Sequence, residues 1–191
     1  MRALLCDEPG RLTLVERPEP QPAEGEVLVR IRRAGVCGTD LHIYQGKHPF
    51  LEYPRVMGHE LAGEVVTAPV GSSLRPGQTV CVIPYLPCGR CVACRRGKTN
   101  CCQNLRVLGV HMDGGFCDYL AVPEANLMAV DDLSVDHAAM VEFLAIGAHA
   151  AGRAEIKGGE RTLVVGAGPI GIATATFASA RRGGDLPRSP H

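Results

Sequence analysis

The sequence predicts a mainly β domain with a metal-binding lobe, followed by the start of an α/β nucleotide-binding fold, one βα unit long. Three observations carry this. The first ~130 residues are rich in Gly and Pro with short period-two apolar patterns. Five cysteines fall within residues 88–102, and a glycine turn separates an apolar run from an Ala-rich helix beyond residue 160. With 191 residues, 46% hydrophobic and 21% charged, the chain has the composition of an ordinary globular protein able to bury a core.

Taken in order, Leu12 and Leu14 mark one half-buried strand, and Val27, Val29 and Ile31 mark a clearer one. Residues 61–66 and 79–83 predict two more, bounded by Gly58, Gly71, Pro76-Gly77 and Pro84, residues that favour turns for steric reasons. At Ser134 the pattern changes. Either Ser134 or Asp136 can cap a helix whose interior, 138–151, is built from Ala, Leu, Met and Glu, and which reads as a hinge between two lobes. Residues 162–165 (Thr-Leu-Val-Val) predict a short strand. Gly166-Ala167-Gly168-Pro169-Ile170-Gly171 follows, and then a helix to about Ala180. Gly166, Gly168 and Gly171 form the GxGxxG pattern, in which glycines allow a tight turn and close backbone approach while the helix N-terminus favours a pyrophosphate. The usual acidic partner is expected about 20 residues on. Asp185 sits there, but between Gly184 and Pro187 with no strand before it, so it reads as a solvated loop residue. The expected boundaries are 1–152 for the β domain, 153–180 for the nucleotide-binding start and 181–191 for an irregular tail.

Twenty Lys+Arg balance twenty Asp+Glu. That balance gives no reason to expect nucleic acid as a partner. No apolar run is long enough to span a membrane and no signal peptide is legible, so the expectation is a cytoplasmic protein without membrane contact. Nine cysteines, an odd number without a secretion signal, favour metal binding or free thiols over a disulfide framework.

Cys88, Cys91 and Cys94, with Cys101 or Cys102 as the fourth, suit one tetrahedral zinc, because Zn(II) accepts four soft sulfurs without directional preference. Arg90, Arg95, Arg96 and Lys98 would lower the thiol pKa values and offset the sulfur charge. An iron–sulfur cluster, a disulfide pair or uncoordinated thiols are the alternatives, and spacing does not decide between Cys101 and Cys102. Cys6, Cys81 and Cys117 lie in apolar surroundings and read as small buried hydrophobes. A second set, Cys37-Gly38-Thr39-Asp40-Leu41-His42 with Gly58-His59-Glu60, offers a thiolate, imidazoles and carboxylates, the ligand types of a zinc with an open position. By themselves a Cys and a His 22 residues apart are equally compatible with unrelated core residues.

The segments CGTDLH, GHELAGEVV, CGRCVACRRGKTNCC, VLGVHMDGGF and VVGAGPIG, in this order, resemble the zinc-containing medium-chain alcohol and polyol dehydrogenases. Those pair a GroES-like catalytic domain with a Rossmann domain. Residues 53–111 are most similar to bacterial sugar-acid dehydrogenases, with sorbitol and threonine dehydrogenases as cousins. The resemblance implies catalytic zinc on Cys37 and His59, completed by Glu142 or by Glu60 in its place. It implies structural zinc on Cys88, Cys91, Cys94 and Cys102, and a proton relay through Thr39 and His42. Phe143 stands where the family has proline after the glutamate. His48, His111, His137 and His149 gain no role and read as surface or packed histidines. The implied reaction is hydride transfer from a secondary alcohol of a polyol or sugar acid to NAD or NADP, zinc handling the charge. The composition break after Ala180 reads as a C-terminal truncation that leaves the cofactor site incomplete. An inactive zinc-binding module, a homo-oligomer and association with other subunits are the accompanying expectations.

Overall fold

A computed structural model describes residues 1–49 and 51–183. The chain forms two compact units that divide between Ala139 and Met140.

The first unit is built on antiparallel sheets. β1 (Arg2–Glu8), β2 (Arg11–Glu16) and β4 (Arg55–Val56) form one sheet in the order β2-β1-β4. β3 (Glu26–Gly35), β5 (Glu60–Thr67), β6 (Thr79–Val82), β9 (Tyr119–Pro123) and β10 (Leu127–Ala129) form a second in the order β10-β6-β5-β3-β9. β7 (Tyr85–Leu86) pairs with β8 (Arg106–Val107) at the base of the cysteine lobe. Short helices α1 (Gly38–Tyr44), α2 (Val92–Arg95) and α3 (Val135–Ala139) punctuate the strands.

Alternation explains the core. Val27 and Val29 are fully buried with Val65, Val80 and Leu74 in one cluster, against which Ile31 packs half-buried. Register follows from this, since slipping β3 by one residue would turn its valines to solvent. β3 pairs with β5 from Leu28↔Thr67 to Gly35↔Glu60, with irregularities at Leu28/Val29 and Ile31/Arg33. Leu12 and Leu14 alternate as expected but lie exposed, 42% and 67%. β2 is an edge strand that pairs with β1 alone, and no second layer covers this face among the described residues. Cys6 and Cys81 are buried, Cys6 in a cluster with Ile43, Met57 and Val110. Cys117 is half-buried, its thiol near the carbonyls of Gly114 and Tyr119, and burial pushes its pKa up to about 11.

The helix expected over 138–151 is two helices. Ser134 Oγ accepts from His137 N at 3.2 Å and caps α3, so Ser134 rather than Asp136 makes the cap. After a break at Met140, α4 (Val141–Arg153) belongs to the second unit, where it packs on α5 (Pro169–Gly183). The two compact units thus divide before α4. Gly147 is the reason for the close pairing: a Cβ there would lie 2.5 Å from the Ala173 methyl. Residues 162–165 do not form the expected strand. A strand needs a neighbour to pair its backbone, and none is present among the described residues, so Leu163 and Val165 are 86% and 90% exposed. Asp185 and the rest of 184–191 lie outside the described residues.

Candidate metal centres

The cysteine lobe is held by turns rather than by a core. Gly89 and Gly97 take positive φ, 71° and 70°, which lets the chain reverse between ligands. Cys91 caps α2, its sulfur accepting from Cys94 N at 3.5 Å. The sulfurs of Cys88, Cys91, Cys94 and Cys102 all lie within 4.8 Å of one another, with Cys91–Cys94 at 3.5 Å and Cys91–Cys102 at 3.9 Å. A tetrahedral zinc with sulfurs at about 2.3 Å has S···S edges of about 3.8 Å, so these four thiols fit the ion. Cys101 is exposed at the end of the 3₁₀ turn Thr99–Cys101 and outside this cluster.

Backbone N–H groups point at the sulfurs. Cys88 N and Asn104 N approach Cys102 Sγ at 3.2 and 3.4 Å. N–H groups of Arg90 and Cys91 lower the Cys88 thiol to about 6. Those of Cys94 and Gln103 lower Cys91. Cys94 is pushed up to about 12 by desolvation first, and then by the sulfurs of Cys91 and Cys102. Four adjacent thiols cannot all ionise without a cation among them.

The second cluster sits where β3 and β5 run into loops. Cys37 follows β3 and caps α1, while His59 and Glu60 stand at the entry to β5, both 7% exposed. Their ligand atoms and Cys37 Sγ lie within 4.8 Å of one another. The register that pairs Gly35 with Glu60 makes this possible, and Gly35 must be glycine because a Cβ there would run into the Glu60 carboxylate.

Asp40, not singled out in the sequence, ties the two loops together. It is 2% exposed; its Oδ2 accepts from Cys37 N at 2.9 Å, its Oδ1 accepts from Gly58 N at 3.3 Å, and Oδ1 stands 3.8 Å from His59 Nδ1. Burial raises its pKa, opposed by the Cys37 N–H, by His59 and by the Gly58 N–H. A carboxylate beside the second nitrogen of a ligating histidine is a recurrent device for orienting the ring. The signal for it was an acidic residue three positions after Cys37, at the third helical position where it can bond back to the cap.

Thr39 is half-buried and His42 exposed, three residues apart on α1 and so on neighbouring positions of one face. Glu142 lies in the first turn of α4, in the second unit. Gly166 has φ 107° and a Cβ on Gly171 would collide with the Gly166 carbonyl, so the glycine turn forms. Pro169 opens α5, and Ile172 N donates to Gly168 O at 2.9 Å.

Residues 23–132, more than half of the chain, match the alcohol dehydrogenase GroES-like domain. The chain belongs to that family. This GroES-like chain is 48% identical over 181 residues to L-galactonate-5-dehydrogenase of Escherichia coli K12, an alignment covering 94% of this chain and 53% of the relative. Sorbitol dehydrogenase of Bacillus subtilis is 34% identical over 194 residues, with 97% and 54% covered. Among solved structures, rspB alcohol dehydrogenase from E. coli CFT073, complexed with NADH, superposes with TM-score 0.88 at 38% identity, covering 96% of this chain and 54% of that one. L-idonate 5-dehydrogenase from E. coli gives TM-score 0.86 at 32% identity, with 94% and 54% covered. The chain therefore spans about half the length of the curated relatives it matches.

Proposed function

We propose that this GroES-like chain is the metal-binding half of a zinc-dependent, NAD(P)-linked dehydrogenase acting on a secondary alcohol of a polyol or sugar acid. The observation that carries the proposal is the meeting of Cys37, His59 and Glu60 at one end of the β3–β5 pair, close to Asp40, alongside a separate four-thiol cluster. Closed sulfur sites stabilise folds, whereas mixed thiolate, imidazole and carboxylate sites leave a position for substrate. The relatives support the substrate class, being named for L-galactonate, L-idonate and sorbitol.

In this proposal Cys88, Cys91, Cys94 and Cys102 hold a structural zinc. Cys37 and His59 hold a catalytic zinc, with Glu60 or Glu142 completing its shell. When bound, zinc acidifies the alcohol and the nicotinamide accepts the hydride. Asp40 keeps the His59 ring in place through its contact at Nδ1. Thr39 and His42 hand the alcohol's proton outward, from a half-buried hydroxyl to an imidazole in solvent. Gly166, Gly168 and Gly171 admit the cofactor pyrophosphate at the N-terminus of α5. The functional division is residues 1–152, 153–180 and 181–191, and a cytoplasmic location with no nucleic-acid or membrane partner completes the reading. Among the described residues no helix is long and apolar enough to cross a membrane.

A second reading has its own support: a zinc-binding module that does not turn over alone, or does so only as a homo-oligomer or with other subunits. Residues 162–165 find no strand partner among the described residues, so within these residues no sheet holds the nucleotide-binding turn. Incubating the full chain with zinc, NAD or NADP and a panel of polyols and sugar acids, and following reduced nicotinamide by absorbance, separates the two. Substrate-dependent reduction supports the dehydrogenase. Its absence in a chain carrying two zinc ions supports the module, and fewer than two ions removes one of the sites.

A further inference from the structure

Of the two metal clusters, one can change its own ligand set. The Cys37 cluster holds a single sulfur beside an imidazole and a carboxylate, so it has no second thiol to bond to. In the other cluster four sulfurs lie within 4.8 Å of one another, and those of Cys91 and Cys94 are 3.5 Å apart. The local chain makes this approach: Cys91 caps α2, and Cys94 N donates to its sulfur at 3.5 Å. The 3.9 Å approach of Cys102 to Cys91 instead spans eleven residues. Closing a longer loop costs more entropy, so the local pair keeps its proximity best once nothing else gathers the sulfurs. From 3.5 Å to a bonded distance of about 2.05 Å is a sulfur movement of about 1.5 Å.

These sulfurs are also shallow. Neither α2 nor the 3₁₀ turn Thr99–Cys101 contains a buried residue, Cys94 is half-buried, and Arg90, Arg95, Arg96 and Lys98 in the same lobe are exposed. A small oxidant reaches such a thiolate from solvent.

We propose that the four-thiol cluster is a reversible redox switch, in which hydrogen peroxide joins Cys91 to Cys94 as a disulfide and so discharges the zinc. The switch rests on the structural zinc proposed above. The Cys94 thiolate attacks one peroxide oxygen: an S–O bond forms, the O–O bond breaks, hydroxide leaves, and this sulfur becomes a sulfenic acid. The Cys91 thiolate then attacks that sulfur: an S–S bond forms, the S–O bond breaks, and a second hydroxide leaves. The two thiolates together give two electrons to one peroxide, and each hydroxide takes a proton from solvent to become water. Only Cys88 and Cys102 then remain as donors, too few for a closed four-coordinate ion. A lobe held by turns and metal loosens when the metal goes. Dithiothreitol, oxidised to its own cyclic disulfide, returns both thiols and lets zinc rebind.

The test treats the zinc-loaded full chain with hydrogen peroxide, follows released zinc with 4-(2-pyridylazo)resorcinol, and maps peptides by mass after alkylation of the remaining thiols. Trypsin cuts after Arg90 and Arg95, so both cysteines fall on the peptide 91–95. The expected result is loss of one of the two zinc ions per chain, with peptide 91–95 unalkylated and two hydrogens lighter. Dithiothreitol with added zinc should restore the original zinc content and mass. Cys101→Ser, which alters the exposed thiol outside the cluster, should change neither release nor mapping. Zinc that stays bound overturns the switch and leaves the zinc reading standing, whereas cluster thiols that are alkylated and metal-free before any peroxide is added overturn both. The switch is equally overturned by a disulfide between any other pair, by sulfinic acid on Cys94 that dithiothreitol cannot reverse, or by release that Cys101→Ser abolishes.

Discussion

Asp40 shows how much one residue can hold. Its two oxygens accept from backbone N–H groups on either side of the Cys37–His59 pair, so Asp40→Ala leaves two donors unsatisfied at a buried place. We expect a loss of about 2 kcal/mol in urea unfolding and a drop of about 10- to 100-fold in affinity for the metal near Cys37, read by competition with a chelator. Asp40→Asn, keeping one acceptor, should recover part of the stability. The sulfur pKa values predict a second behaviour. Cys88, lowered to about 6, is largely ionised at pH 7, whereas Cys94, pushed up to about 12, is not. Metal must expel the Cys94 proton, so affinity rises with pH, and calorimetry at pH 7 in buffers of different ionisation enthalpy should show at least one proton released per zinc at this cluster. In the metal-free chain the sign for Cys88 is the reverse of a raised group: its stabilising contribution is complete above its ordinary value of 9.0 and fades as pH falls through about 6.

At the scale of elements, the β3–β5 pair positions the Cys37 cluster and the glycine turns position the other. A Cβ at Gly63 would run into the Arg30 carbonyl across the pair. Gly63→Ala should therefore destabilise the first unit by about 1–3 kcal/mol through forced separation of the strands, visible as a lower urea midpoint. In the cysteine lobe Cys94→Ser should remove one of two bound zinc ions by elemental analysis and lower the melting temperature, since structural sites carry on the order of 10 kcal/mol of binding free energy. Unchanged zinc content and melting would refute the assignment. These elements were legible to different degrees. Val27, Val29 and the cysteine spacing announced their roles because period and ligand geometry are local properties. Leu12 and Leu14 obeyed the same period yet stay exposed, because alternation tells which residues share a face and not whether anything covers it.

For the whole molecule, the two units answer to separate perturbations. Gly147→Val would drive a side chain into Ala173 and part α4 from α5, and its expected signature is lost helical circular dichroism with zinc still held at the four-thiol cluster, because none of the proposed structural-zinc ligands lies beyond Ala139. The sequence by itself determined the β character of residues 1 to about 130, the Cys88, Cys91 and Cys94 run and the glycine turn, since each depends on residue types at short spacing, whereas the Cys37 and His59 pair was legible only through the family resemblance. Tertiary structure alone decided that Glu60 stands with Cys37 and His59, that Asp40 joins their loops, and that among the described residues 162–165 and one edge of β3 near Arg32–Gly35 find no strand partner. The physical reason is that these depend on strand register and on which backbone edges find partners, quantities set by residues far apart in the chain.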